Sequence, residues 1–123
     1  MTTAYWCVFI AFLLPYFWIV LAKVKAPGMN NLTPRLALEK LDGWKQRAYW
    51  AHQNAFEAFS PFAAAVIIAH QLQVNQAQLN MLALVFIIAR ISHGIFYIQN
   101  WATARSLVWF VGLISVILIF CLA

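Results

Sequence analysis

The chain has 123 residues, 65% of them hydrophobic and 9% charged, and a formal net charge of +5; its mean hydropathy is +0.80. A soluble domain of this size has too little interior to hide so much apolar surface, so the composition excludes a soluble globular fold and leaves an integral membrane protein. The positive charge is not a nucleic-acid footprint, because the cations gather in and beside one connection between apolar segments; no nucleic-acid partner is expected.

A bilayer core about 30 Å thick takes about 20 apolar residues per helix. Four stretches are long enough, at about 4–22, 46–72, 78–100 and 105–122. They predict an all-α integral membrane protein, a bundle of four transmembrane helices in a single domain, 1–123. The first stretch carries Pro15 in its middle, where the missing backbone donor is expected to kink the helix. The segment Met1 to Trp6 lacks the basic residues and the small-residue cleavage site of a signal peptide, so the first span is expected to be retained. Tyr5, Trp6, Trp44 and Trp101 fall where interfacial aromatic belts form. Cys7 and Cys121 lie near the ends of apolar stretches with no redox motif around them, and are expected to be packed free thiols.

The first connection is the only long one. Ala26-Pro27-Gly28-Met29-Asn30-Asn31 is turn chemistry. Thr33-Pro34 predicts an N-cap followed by proline at the first helical position. Leu36, Leu38 and Leu41 predict a short helix on the membrane surface, ending at Asp42-Gly43. This connection and its borders hold Lys23, Lys25, Arg35, Lys40, Lys45 and Arg47. The second connection, 71–80, is uncharged, and Arg105 lies at the third. Basic loops stay on the cytoplasmic side, so loops one and three are expected inside and both termini outside.

The second span carries Arg47, Trp50, Asn54 and Glu57, separated by three, four and three residues. On a helix these share one narrow stripe. Arg90, His93, Tyr97 and Asn100 repeat the spacing on the third span. Facing residues in an antiparallel hairpin have numbers of constant sum, and the pairs 47 with 100, 50 with 97, 54 with 93 and 57 with 90 share one. Glu57 is therefore expected against Arg90 at depth, Asn54 near His93, Trp50 near Tyr97, and Arg47 near Asn100 at the cytoplasmic end. An ionisable group in a bilayer costs roughly 2.5–3.5 kcal/mol on insertion scales, so each needs a partner, water or a function.

Two readings stand at this point. One is a buried ion pair with polar contacts that hold the helices together. The other is a polar pocket open to the cytoplasm, where Arg47, Arg105 and the loop cations draw in an anion. His52, His70 and His93 do not make a metal-ligand set. There is no Ser-His-Asp arrangement, glycine-rich phosphate loop or carboxylate pair. What remains is an arginine-, asparagine- and tyrosine-lined site for a small anionic ligand. Arginine binds carboxylates through its planar fork. It also stabilises a thiolate, the form of a thiol that attacks electrophiles.

The stretch from Gln46 through Arg47, Trp50, Asn54 and Glu57 to Phe59 resembles the signature of the MAPEG family, membrane-associated proteins in eicosanoid and glutathione metabolism. There the second helix runs roughly Glu-Arg-x-x-Arg-Ala-x-x-Asn-x-x-Glu. The resemblance covers the whole chain: four spans, a long first cytoplasmic loop, Ala89-Arg90 in the third helix, Tyr97 seven residues on, and Arg105 opening the fourth. The chain is most similar to the small bacterial members, which implies a bacterial inner membrane. The resemblance implies a homotrimer in contact with membrane lipid, with glutathione as cosubstrate between neighbouring subunits near the cytoplasmic side. It implies a transferase or peroxidase acting on a hydrophobic small molecule, an electrophile dissolved in the bilayer. By position Arg47, Asn54, Glu57, Arg90 and Tyr97 match motif residues, and Trp50 and His93 complete the binding-site candidates. Arg105 matches the arginine that activates the glutathione thiol, as the catalytic candidate.

The chain departs from the family pattern at three places. Trp50 stands where a second arginine is usual, Ala58 where a tyrosine often follows the motif glutamate, and His93 where a third-helix tyrosine is found. These departures keep a second class of function open: a non-catalytic MAPEG-like protein that binds a lipid or other hydrophobic ligand, with Trp50 stacked on it. A compact proton-coupled exporter is disfavoured, because its essential glutamate would sit in the first span, which here has no acid.

Overall fold

The computed structural model describes residues 1–123. Five helices follow one another: α1 (Thr3–Lys23), α2 (Pro34–Glu39), α3 (Gly43–Gln71), α4 (Gln76–Ile98) and α5 (Ala102–Leu122). Three of them, α1, α4 and α5, are long and apolar enough to cross a membrane. The longest, α3, has 29 residues, about 44 Å at a rise of 1.5 Å per residue. Its polar stretch from Arg47 to Glu57 keeps it less apolar than the other three, so of the four spans expected three meet the length and apolarity of a membrane crossing, and the stretch expected at 46–72 is a longer, polar-striped helix.

The connections are set by how the helices end. At the end of α3, Gln73 takes a left-handed conformation (φ 56°). The amides of Gln73 and Val74 donate to the carbonyls of His70 (3.1 Å) and Ala69 (3.3 Å), the Schellman arrangement that satisfies a helix's last carbonyls. The end of α4 repeats it with Asn100 (φ 60°); the amides of Asn100 and Trp101 donate to Tyr97 (3.1 Å) and Phe96 (2.9 Å). Both turns reverse the chain at once and make α3, α4 and α5 successive neighbours.

The long connection is ordered by one side chain. Asn30 Oδ1 accepts from the amides of Leu32 (3.0 Å) and Thr33 (2.8 Å) and from the Thr33 hydroxyl (3.3 Å). Thr33 precedes Pro34 at the start of α2, as expected, but its hydroxyl serves Asn30 and makes no capping bond to the helix. The helix also closes earlier than Asp42-Gly43. The amides of Lys40 and Leu41 turn back onto the carbonyls of Ala37 (3.3 Å) and Leu38 (3.2 Å), a tighter three-residue pattern that ends the α-helix at Glu39. Leu38 and Leu41 then bury against Ala22 and Ala48.

In the bundle, α1 lies along α3, α5 along α4, and α3 meets α4 in the middle. Small residues hold these contacts close: Ala4 and Ala11 on α1, Ala51, Ala55, Ala65 and Ala69 on α3, and Ala83 and Ala89 on α4 are all buried. Close backbone approach of this kind is the main source of helix association in a lipid environment. The Phe62 and Phe86 rings stack between α3 and α4 with centroids 3.8 Å apart. Gly94 lies flat under the Trp18 indole; a Cβ there would run into the ring. Cys7 is a buried free thiol, as expected, whereas Cys121 is exposed, because the outer face of α5 has no neighbour in the single chain.

Two polar contacts fix α1. His52 Nδ1 donates to the Pro15 carbonyl at 2.7 Å. At the other end the Ala4 amide donates to Asn80 Oδ1 (3.0 Å), which also accepts from Gln76 (2.8 Å), whose oxygen in turn lies 3.1 Å from His70 Nδ1. A side chain of α4 thus satisfies one of the free amides in the first turn of α1.

Candidate functional site

The two polar stripes do face each other across α3 and α4, with a partner scheme of their own. Arg90 and His93 are 4% and 3% exposed. Arg90 Nη2 donates to Asn54 Oδ1 at 2.6 Å, and Asn54 Nδ2 donates to Glu57 Oε2 at 3.3 Å. The expected Glu57–Arg90 pair is therefore relayed through Asn54. Glu57 stays on the exposed side of α3 while Asn54 is half-buried, so the amide is the group within reach of the guanidinium. Asn54 in turn is engaged by Arg90, one helical turn before His93 on α4.

Arg47 reaches the end of α4 expected for it, through the backbone. Its Nε and Nη2 both donate to the Ile98 carbonyl, at 3.1 and 3.0 Å, rather than to the Asn100 side chain. Ile98 is the last residue of α4, where carbonyls lack a helical partner and the helix dipole favours a cation.

Tyr97 is where three helices converge. The Trp50 ring of α3 lies 6.2 Å from it, centroid to centroid, as expected. The His93 ring, one turn back on α4, meets it edge-on at 5.5 Å. From α5, Arg105 places its guanidinium carbon 4.4 Å from the ring centroid, a cation–π contact. Arg105 is therefore held by an aromatic face, which orders the side chain without neutralising its charge as a carboxylate would.

One turn beyond Arg105 begins a cavity of about 190 Å³ between α3, α4 and α5. Asn54, Glu57 and Arg90 form its polar wall, and Phe86, Trp109 and Gly112 part of its apolar wall. Ala58 also lines it. A Cβ on Gly112 would meet Arg90 Cδ at 3.6 Å, an ordinary contact, so this glycine deepens the cavity without being required by the backbone.

The candidates fall into two groups, Asn54, Glu57 and Arg90 on the cavity wall and Trp50, His93 and Arg105 around Tyr97, while Arg47 clamps the end of α4. The arrangement offers a polar wall with an arginine–asparagine–glutamate chain, a second arginine free of any acid, and an adjoining apolar volume. No three His, Cys, Asp or Glu residues gather as a metal site would need. The reading of the sequence missed the wall that α5 supplies. The signal was present, since Arg105, Trp109, Gly112 and Val116 are spaced four, three and four apart.

Among protein-family models, that of the MAPEG family matches the chain over residues 3–123. Comparison with curated proteins and with solved structures finds no match.

Proposed function

The chain belongs to the MAPEG family, and on that premise we propose that it is a membrane-embedded glutathione-dependent transferase or peroxidase acting on hydrophobic electrophiles. In this reading α3 also crosses the membrane, as the second of four spans. Its stripe is tolerated in a bilayer because α4 supplies partners for it. The long first loop faces the cytoplasm and both termini lie outside, following the distribution of Lys and Arg, in a bacterial inner membrane.

The working unit in this reading is a homotrimer. Gln53, Glu57 and Ser60 share a stripe of α3 and are exposed in the single chain. Lipid chains cannot satisfy them. Ala64 continues the stripe with a small residue suited to close helix contact. A neighbouring copy is the surface that removes these groups from lipid. Glutathione then binds at the subunit boundary near the cytoplasmic side. Arg47, Asn54, Glu57 and Arg90 meet its charged and amide groups, and Trp50, His93 and Tyr97 form the aromatic end.

The observation that carries this proposal is the placement of Arg105 on the Tyr97 ring. A guanidinium with no acid beside it lowers the pKa of a thiol brought near it. The thiol proton leaves to solvent, the thiolate sulfur bonds to the electrophilic carbon, and the leaving group departs with its bonding pair. The second substrate enters the apolar part of the cavity from the lipid. Arg105→Ala should lower the rate of glutathione conjugation to a chloronitrobenzene about 10²- to 10³-fold, the scale of losing one electrostatic stabiliser, with the oligomer intact by light scattering. Unchanged turnover would remove the role of Arg105.

One observation favours a second reading. Trp50 is 41% exposed and leans on Tyr97, an aromatic surface where the family pattern has a cation. A wild-type protein that retains a lipid through purification and turns over no electrophile would be a non-catalytic binder of hydrophobic ligands.

A further inference from the structure

The first long connection carries a feature that the glutathione reading leaves unused. A separate cavity of about 200 Å³ opens between the end of α1 and the start of α2, lined by Lys23, Met29, Asn30, Asn31 and Pro34. Asn30 builds its shape. Its Nδ2 donates to the Gly28 carbonyl (3.3 Å) and its oxygen gathers the amides of Leu32 and Thr33. Its oxygen is taken up by these bonds, so the free side-chain donors of the lining are those of Lys23 and Asn31, with the second Nδ2 hydrogen of Asn30 beside them.

The charge around this cavity is one-sided. Of the six cations in and beside the loop, Lys45 is engaged by the Val24 carbonyl and Arg47 by the Ile98 carbonyl. Lys23, Lys25, Arg35 and Lys40 remain exposed. No acidic residue lines the cavity; Glu39 and Asp42 lie beyond it, at the far end of α2. Two leucines also stand out. Leu32 is 94% exposed and Leu36 56% exposed, although Leu38 and Leu41 of the same segment are buried. Side chains so apolar gain by leaving water. Lys23 is the last residue of a helix long and apolar enough to cross a membrane, so the cavity lies at the depth of lipid headgroups. Cations beside exposed apolar side chains at that depth match an anionic interface.

We propose that this cavity binds the phosphate headgroup of an anionic phospholipid from the adjoining leaflet. Lys23 and Asn31 hold the phosphate, Lys25 and Arg35 add attraction, and Leu32 and Leu36 enter the acyl layer beside it. This site is independent of glutathione, and its test is run without any.

The full chain in a neutral detergent is mixed with phosphatidylglycerol or phosphatidylcholine of identical acyl chains, and retained lipid is counted by native mass spectrometry. The expected result is a preference of about tenfold for phosphatidylglycerol, falling about fivefold in Lys23→Gln and lost in the Lys23→Gln/Arg35→Gln double variant. Leu32→Gln should weaken retention of both lipids alike. Circular dichroism of each variant checks that the helices are kept, and the wild-type preference stands as a test even where a variant fails to fold. Equal retention of the two lipids, or a preference that survives in a folded double variant, would overturn the proposal. Inorganic phosphate, compared with chloride at equal ionic strength, separates the two sources of the same chemistry. A lipid site keeps its lipid, whereas selective displacement by phosphate would make this a free-anion site and overturn the assignment to lipid.

Discussion

Asn54 joins two charges that the helical spacing sets directly against each other. Arg90 is buried and its contact is the Asn54 oxygen; Glu57 is exposed and touches only the other end of the same amide. Asn54→Leu should therefore leave a buried cation without its acceptor and cost about 1.5–3 kcal/mol, the range for hydrogen bonds to charged groups. Glu57→Gln should cost less, because the Asn54–Arg90 bond survives it. Thermal unfolding in detergent measures both, and equal losses would mean that Glu57 supports Arg90 directly. The stripes themselves were legible, because polar residues are costly in an apolar chain and three-four-three spacing puts them on one helix face. Of the expected facing pairs, Trp50 and Tyr97 meet directly, Arg47 meets α4 two residues before Asn100, and Asn54 meets Arg90 one turn before His93. Arginine side chains reach further than one register step, so Arg90 chose Asn54 over Glu57 and Arg47 chose a carbonyl at the end of α4. A backbone acceptor has no letter in the sequence.

At the scale of elements, the two glycines that face other helices have different jobs. Gly94 leaves space for the Trp18 indole and so sets how closely α1 approaches α4; Gly112 only leaves room beside Arg90. Gly94→Ala should destabilise the bundle by about 1–3 kcal/mol, as overpacking does. Gly112→Ala should be near neutral or slightly stabilising, since alanine is the better helix former. Detergent melting of the pair tests this, and equal effects would contradict the close approach of α1 and α4. The helices could be located from apolar runs, but their ends could not be fixed. The turns after α3 and α4 place Gln73 and Asn100, not glycine, in the left-handed position. The short α2 stops where its amides tighten, a matter of backbone geometry. The α5 wall of the cavity escaped notice for a related reason. Apolar residues at helical spacing are everywhere in this chain, so Trp109, Gly112 and Val116 did not stand out until α5 was seen beside α4.

For the whole molecule, the arrangement explains why a protein so apolar keeps a polar middle. Three helices are apolar along their length, while α3 turns one polar stripe toward α4 and carries Gln53, Glu57 and Ser60 exposed on its other side. The membrane class was legible from composition and the family from the motif on α3, and the match over residues 3–123 confirms the family. Assembly was not legible from composition, because a single chain carries only its half of any interface. The central claim is that Arg105, held on Tyr97 without an acidic partner, activates the thiol of glutathione. The most direct measurement is a titration of the purified protein with glutathione, following thiolate absorbance in the ultraviolet alongside bound ligand. Saturable binding with a thiolate signal that disappears in Arg105→Ala is the predicted result. Absence of binding by a well-folded assembly, or a thiolate signal that survives in Arg105→Ala, would contradict it.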